Sequence, residues 1–196
     1  METGTQPTEH ELWIAACSGD GDAFGRVWDL HQRRVWLHAC RLVGERQDAE
    51  DVTAVAFLEL WRRRTDVRLV NGSILPWLLV TTSNVARNLQ RSRRRYQALL
   101  HRLPREGTAM EPADVLSRYD PAGWSQELLA LLRGLDPRDL KLVTLVVLEG
   151  FPVVDAAPLA GVSVTAARSR LSRFRARARN ALGAETMAEL REEAAR

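Results

Sequence analysis

The chain has 196 residues, with 28 basic and 25 acidic side chains that give a formal net charge of +3. This nearly balanced charge excludes a strongly polyanionic or polycationic disordered chain, and the 45% apolar content is enough to bury a core in one domain or in two smaller ones. No apolar stretch approaches the roughly 20 residues that span a bilayer, and the N-terminus lacks the basic-then-apolar pattern of a signal peptide, so we expect a cytoplasmic protein without membrane association.

The first half of the chain predicts three helices. The first spans about Asp22–Val43, where the opening aspartate is a suitable N-cap and apolar residues recur at helical spacing. The second spans about Asp48–Arg64, with carboxylates near its start and arginines at its end, which suits the helix dipole. The turn signal Asn71–Ser73 follows, and a third helix begins with the proline of the segment Pro76–Arg91.

A stretch of turn-forming and acidic residues comes next. Residues 106–123 contain two glycines, two prolines and four carboxylates, a composition typical of an exposed, flexible acidic linker. We therefore predict a domain boundary here, between a first domain of residues 1–105 and a second domain of residues 124–196.

The second half predicts a helix-turn-helix. Asp136 and Pro137, a cap and a first-turn proline, open a helix that runs through Leu148. Residues 152–160 predict a short helix, and after a glycine-containing turn Ser163 is a suitable cap for a helix with an apolar stripe and a basic polar face. No alternating stretch predicts a sheet, so the expected fold class is all-α, with two small helical domains joined by the linker, the second a helix-turn-helix domain.

Charge is distributed unevenly along the chain. Residues 67–105 contain eight arginines and no acidic residue, and residues 156–184 contain six arginines and no acidic residue. The segment between them is net acidic. Clustered arginines bind phosphate backbones through counterion release, so these two blocks predict two nucleic-acid-binding surfaces on one chain.

The sequence carries no pattern of a catalytic or metal site. It contains no P-loop, HExxH or GxSxG motif and no carboxylates clustered in a plausible pocket, so we expect no enzyme activity, no catalytic residues and no cofactor. Cys17 and Cys40 are the only cysteines, too few for a disulfide scaffold and without the CxxC spacing of a zinc site. We therefore expect two ordinary thiols and no bound metal.

Several segments occur in the order in which one family carries them. They are Asp48–Val52, Phe57–Trp61, Leu75–Leu79, Asn84–Asn88, Arg91–Arg95 and Val162–Arg179. The first two resemble the polymerase-binding segment of bacterial sigma factors. The next three resemble the promoter-melting part of region two in the extracytoplasmic-function (ECF) group, and the last resembles region four.

The resemblance implies a sigma factor that binds RNA polymerase core at its clamp and flap and recognises the minus-thirty-five and minus-ten promoter elements. Such a factor promotes promoter melting and leaves the covalent chemistry to the polymerase. Its partners are the polymerase core and promoter DNA. Family members are commonly held inactive by an anti-sigma factor, although no residues here identify one.

The resemblance assigns polymerase binding to the second predicted helix, with the carboxylates exposed and the apolar residues mostly packed. The residues concerned are Asp48, Asp51, Phe57, Leu58 and Trp61. Taken by themselves, these residues also fit an ordinary capped amphipathic helix.

Minus-ten recognition maps to the turn and to the helix after it. In the family the turn holds a base flipped out of the non-template strand, which costs a few kcal/mol and therefore needs amide and backbone hydrogen bonds. The implied residues are Asn71, Gly72, Ser73, Trp77, Asn84, Arg87, Asn88 and Arg91. Trp77 could stack on a base, but an aromatic residue after a helix-opening proline favours a core position.

Minus-thirty-five recognition maps to the last predicted helix. The implied residues are Thr165, Arg168, Ser169, Ser172 and Arg173. Arg168 is the best candidate for bidentate readout of a guanine. The arginines at 170, 175, 177 and 179 fit phosphate contacts and a solvated face equally well.

The chain also departs from the family pattern. Ala54 and Val55 stand where the family often has a glutamine and an acid, and Pro158 lies inside the first helix of the helix-turn-helix. Residues 165–167 differ from the usual motif at the start of the recognition helix. The promoter sequence that relatives recognise therefore cannot be transferred to this chain. An alternative function stays open, a stand-alone helix-turn-helix DNA-binding regulator that has lost polymerase binding. Co-purification with polymerase core distinguishes the two.

Overall fold

A computed structural model describes residues 7–100 and 124–193. Apart from an isolated bridge between Val70 and Ser73, these residues form helices and connecting turns, which confirms the all-α prediction. The helices are α1 (Glu9–Cys17), α2 (Gly21–Val43), α3 (Arg46–Arg62), α4 (Leu75–Leu100), α5 (Gln126–Arg133), α6 (Pro137–Leu142), α7 (Val153–Ala160) and α8 (Val164–Glu193). Within the described residues, no helix is both long and apolar enough to cross a membrane. The predicted linker, residues 106–123, lies outside the described residues.

Local hydrogen bonds determine where the first two helices begin. Thr8 and Glu11 form a capping box at α1, in which the backbone N–H of Thr8 donates to the Glu11 carboxylate at 2.8 Å and the backbone N–H of Glu11 donates to Thr8 Oγ1 at 3.3 Å. The sequence analysis did not predict this nine-residue helix. The predicted N-cap of α2 was wrong by two residues, because the Asp20 side chain accepts hydrogen bonds from the backbone N–H groups of Asp22 and Ala23.

Helices α1 to α4 pack together, with α2, α3 and α4 all in mutual contact. Helix α3 lies two residues towards the N-terminus of its predicted position, and α4 extends beyond the predicted Arg91 to Leu100. Their shared core contains large side chains that are almost completely buried, namely Phe57, Leu60, Ile74, Leu75, Leu78 and Leu79. Each such side chain stabilises the fold by about 1.5–3 kcal/mol relative to exposure, so the position of α3 is strongly determined.

Helices α5 to α8 form the second group. Asp136 caps α6 as predicted, and its side chain accepts from the backbone N–H of Arg138 at 2.9 Å. The helix continues to Leu148 as predicted, but its last six residues are π-helical. Helix α7, which contains Pro158, is eight residues long and is joined by a tight turn to α8, whose predicted cap Ser163 accepts from the backbone of the first turn. The predicted helix-turn-helix is therefore confirmed.

The second group of helices lies against α2 and α4. Arg133 Nε donates to two carbonyls at the end of α2, at 3.0 and 3.2 Å. Arg34 of α2 forms an ion pair with Glu149, and Asn71 Nδ2 donates to Asp155 Oδ2 of α7 at 2.7 Å. The turn at residues 71–72 is therefore in direct contact with the helix-turn-helix.

A buried histidine makes the stability of this fold depend on pH. The His38 side chain is 1% exposed, and its Nε2 lies 2.9 Å from Ser83 Oγ, which itself donates to the Leu79 carbonyl. The Nε2–H of His38 therefore donates to Ser83, and Nδ1 has no hydrogen-bond partner. Burial, together with the nearby charge of Arg41, lowers the pKa of His38 from 6.5 to about 3.

We expect the free energy of unfolding to fall as the pH is lowered below 6.5, because the unfolded chain binds a proton at His38 that the folded chain does not. The linkage predicts a loss of about 2 kcal/mol between pH 7 and pH 5, measurable by urea denaturation at the two pH values. The variant His38→Gln keeps an N–H donor but cannot take up this proton, so its loss over the same range should be smaller by that amount. An equal pH dependence in both proteins would contradict the prediction.

Candidate functional site

Helix α3 turns only part of the predicted polymerase-binding set towards solvent. Asp51 is exposed and Leu58 is 48% exposed, while Trp61 is half-buried. Asp48 is 6% exposed and Phe57 is 2% exposed. The expectation of exposed carboxylates was therefore wrong for Asp48, while the expectation of mostly packed apolar residues holds for Phe57 and Trp61 but not for Leu58.

Asp48 is buried by contact with Arg93, which lies 45 positions away in the sequence. Arg93 of α4 reaches across to α3 and donates to Asp48 Oδ1 at 2.6 Å, and its guanidinium also lies 3.6 Å from the carboxylate of Glu45. Burial raises the pKa of the Asp48 carboxyl, and the charge of Arg93 opposes that rise. Asp48 thus joins α3 to α4, and the Arg93 guanidinium pairs with carboxylates of the same chain.

An apolar groove borders the exposed face of α3. Its volume is about 390 Å³, and it is lined by Gly21, Phe24, Trp28, Ala54, Phe57, Leu58 and Trp61. The rings of Phe24 and Trp61 meet edge to face with centroids 5.0 Å apart. Asp51 and Leu58 are seven residues apart, so the exposed carboxylate lies on the same side of α3 as Leu58, two turns before it. Sequence periodicity placed the aromatic residues of α2 on a buried stripe and could not show that two of them line an open groove.

The turn at Asn71 and Gly72 is tightly defined. Both residues have positive φ, 52° and 77°, and Val70 and Ser73 on either side exchange backbone hydrogen bonds of 2.9 and 3.1 Å. Positive φ at both central positions defines a type I′ turn, for which Asn-Gly is the favoured sequence. Asn71 and Gly72 are exposed, and the side-chain amide of Asn71 donates to Asp155.

The predicted residues on α4 have different surroundings. Asn84, Asn88 and Arg91 are exposed, while Trp77 is half-buried and packs against the core. Arg87 is half-buried, and burial lowers the pKa of its guanidinium. A groove of about 670 Å³ between α4 and the second group of helices is rich in arginine, with Arg87, Arg91, Arg94, Arg95 and Arg133 in its lining. Positive charge is therefore concentrated where α4 meets α5 and α6.

Helix α8 presents the whole predicted minus-thirty-five set to solvent. Thr165, Arg168, Ser169, Ser172 and Arg173 are all exposed. At 100° per residue they lie opposite the buried stripe Ala167, Leu171, Phe174 and Ala178, which packs into the core. Of the arginines left open above, Arg170 donates to Asp139 of α6 at 2.7 Å and so stabilises the packing of α8 on α6.

The described residues contain no group of three potential metal ligands. Neither Cys17 nor Cys40 is in a disulfide. Cys17 Sγ donates to the Arg64 carbonyl at 3.1 Å, and burial raises the pKa of its thiol, while Cys40 is buried.

Two family models match the chain. The model described as "Sigma-70 region 2" matches residues 27–96, and the model described as "Sigma-70, region 4" matches residues 125–177. The first match contains α3, the Asn71 turn and most of α4, and the second contains α5 to α7 and the beginning of α8.

Curated relatives agree with these matches. The "RNA polymerase sigma factor CarQ" of Myxococcus xanthus is 32% identical over 166 residues, which cover 84% of this chain and 92% of CarQ. The "Probable RNA polymerase sigma factor RfaY" of Xanthomonas campestris pv. campestris is 33% identical over 88% of this chain, and the "ECF RNA polymerase sigma factor BldN" of Streptomyces coelicolor is 31% identical over 77% of it. This chain spans only 43% of RfaY and 57% of BldN.

Solved structures show the same fold. The sigma factor RpoE of Bartonella quintana, crystallised with the anti-sigma factor NepR, superposes with a TM-score of 0.59 at 23% identity, covering 82% of this chain and 97% of that one. CnrH, solved with the cytosolic domain of CnrY, superposes with a TM-score of 0.57 at 25% identity, covering 86% of this chain and 92% of that one. With both region models matched and CarQ aligned over nearly its whole length, this chain belongs to the RNA polymerase sigma factors, in their extracytoplasmic-function group.

Proposed function

We propose that the chain binds core RNA polymerase, directs it to promoters through their minus-thirty-five and minus-ten elements, and promotes promoter melting. The observation that carries this proposal is the outer face of α3, where Leu58 borders an open apolar groove and the exposed Asp51 lies two turns away on the same side of the helix. A stand-alone DNA-binding regulator has no need of such a face. The alternative of a regulator without polymerase binding is therefore not favoured.

The α3 face suits a partner with apolar side chains and basic residues. Apolar side chains would enter the groove beside Leu58 and Trp61, and a basic residue would pair with Asp51 two turns away on the same side of α3. We assign this partner as the polymerase clamp. In this scheme residues 1–105 bind the clamp and the minus-ten element, residues 106–123 form the acidic linker, and residues 124–196 bind the flap and the minus-thirty-five element.

The Asn71 turn and α4 would hold the melted strand. The Asn71 amide and the backbone of Gly72 offer hydrogen bonds to an extruded base, and Arg87 and Arg91 offer positive charge to the phosphates that follow. Since Asn71 donates to Asp155 in the free chain, this mode of binding requires α7 to move away from the turn.

The exposed face of α8 would enter the major groove of the minus-thirty-five duplex. Its start is capped by Ser163 and its opposite side is buried, so the two predicted arginines, Arg168 and Arg173, project from a firmly held helix. Neither surface needs to bind DNA tightly alone, because attachment to the same polymerase raises the effective concentration of each.

Sigma factors are generally not enzymes, and we infer that this chain performs no covalent chemistry and that the polymerase supplies the active site and its metal ions. Its place of action would be the cytoplasm, where bacterial promoters and polymerase are found. An anti-sigma factor is a further proposed partner, supported by the complex of RpoE with NepR.

Reversal of the charge at Asp51 tests the α3 assignment. We expect Asp51→Arg to weaken binding to core polymerase by at least about tenfold, because it puts a cation where the partner's basic residue would lie. Binding is measured by titrating labelled chain with core polymerase. The matched control is Glu50→Arg, which makes the same charge change at an exposed neighbour that pairs with Arg46 and lies about 100° around the helix. Equal effects of the two variants, or no effect of either, would count against the assignment.

Replacement of Arg168 tests the α8 assignment. We expect Arg168→Ala to lower affinity for the preferred minus-thirty-five duplex by about 1–3 kcal/mol and to relax the preference at one base pair, because a bidentate guanine contact is lost. The control Arg175→Ala removes an exposed arginine two turns further along α8 and should weaken all duplexes alike. Both are measured by competition binding with duplexes that differ at single positions. An unchanged base preference in Arg168→Ala would refute this role.

A further inference from the structure

The Asn71 turn is held by hydrogen bonds to Glu9, a residue 64 positions before Ser73 in the sequence. Glu9 is the first residue of α1, and its Oε1 accepts a hydrogen bond from the backbone N–H of Ile74 at 2.6 Å and from Ser73 Oγ at 3.1 Å. His31 Nε2 of α2 lies 2.8 Å from the same oxygen. A single carboxylate oxygen therefore connects α1, α2 and the end of the turn.

The anchor also reaches the start of α4. Ser73 Oγ donates to Glu9 and accepts from the backbone N–H of Leu75, the first residue of α4, at 3.2 Å. The turn is thus held between its own bridge at Val70 and Ser73 and a side-chain network that continues into α4. Asn71 has a φ of 52°, the left-handed conformation that its position in the type I′ turn requires.

The chemistry of Glu9 makes this anchor strong. The carboxylate is partly buried, and burial raises its pKa, but the hydrogen bonds from His31, Ile74 and Ser73 outweigh burial and hold the pKa below its ordinary value of 4.5. The group is therefore ionised at neutral pH, and hydrogen bonds to an ionised acceptor are the stronger kind. Removal of the carboxylate leaves the N–H of Ile74 without its partner.

We propose that Glu9 is a positioning residue for promoter recognition: it holds the turn at residues 70–73 in the one geometry in which Asn71 and Gly72 receive the extruded base. The inference rests on the proposed function and deepens it. Helix α1 lies before residue 27, where the match to region 2 begins, so the match does not assign Glu9 any role. Glu9 does not contact DNA in this scheme and acts only through the turn.

The test uses polymerase holoenzyme reconstituted with each variant and a pool of single-stranded DNA that carries a randomised window, with sequencing of the bound strands. The variants are Glu9→Ala, Glu9→Gln and the matched control Glu11→Gln, which removes the same charge from the same helix turn while leaving a glutamine that still fits the capping box. Duplex minus-thirty-five binding and core polymerase binding are measured on the same proteins. Thermal unfolding reports whether each variant is folded.

We expect Glu9→Ala to lose the base preference at one position of the strand and to bind the selected sequence about tenfold more weakly, with Glu9→Gln intermediate and Glu11→Gln unchanged. Duplex and core binding should be unchanged in all three. If Glu9→Ala does not fold, Glu9→Gln carries the test, because it keeps the side-chain shape but loses the charged acceptor and should give a partial loss at the same position.

Two results overturn the proposal in different ways. If the unaltered chain selects a sequence and Glu9→Ala selects it equally well, Glu9 has no positioning role while the proposed function stands. If the unaltered holoenzyme selects no sequence, the strand-binding role of the turn is refuted and the role of Glu9 fails with it.

Discussion

The packing of Phe57 against Trp28 determines how α3 meets the solvent. The two ring centroids lie 4.3 Å apart, and Phe57 is almost completely buried between α2 and α3. With Phe57 and Leu60 directed into the core, the rotation of the helix turns Asp51 and Leu58 outward. Phe57 and Trp28 also line the apolar groove, so one aromatic contact both stabilises the core and shapes the surface proposed for polymerase.

The contacts between the two groups of helices include two polar ones that involve an exposed side chain. The hydrogen bond from Asn71 to Asp155 and the ion pair of Arg34 with Glu149 each have at least one exposed partner. A hydrogen bond to a charged group contributes about 1.5–3 kcal/mol, and each of these two contacts has a carboxylate acceptor. The free energy gained when DNA binding releases several phosphate counterions is larger than the contribution of these contacts. The Asn71 side chain can therefore donate to Asp155 in the free chain and to an extruded base in the proposed DNA-bound state.

Features that depend on neighbouring residues were predictable from the sequence. The orientation of α8 followed from an apolar stripe with a polar face opposite, together with the Ser163 cap. The caps Asp136 and Ser163 were likewise identified, although Asp20 was missed because Asp22 offers the same chemistry two residues later. Helix α1 was missed because it is short and its apolar residues do not form a clear stripe, but the capping box of Thr8 and Glu11 could have indicated it.

Features that depend on distant residues were not predictable. The burial of Asp48 needs Arg93, 45 residues away, and an acid near a helix start looks the same in sequence whether it faces water or an arginine. The anchor of Ile74 by Glu9 spans 65 residues. Neither contact produces a periodic pattern in the sequence, because each is a single contact that forms only when whole helices pack together.

The most direct test of sigma-factor function is run-off transcription with purified core polymerase from the source bacterium, with this chain added to a genomic promoter library and the transcript starts sequenced. We expect new starts that share two upstream elements at a constant spacing, and loss of those starts when the chain is left out. Duplex DNA binding that weakens with salt, without any new start, would contradict a sigma factor and support a regulator that acts independently of the polymerase.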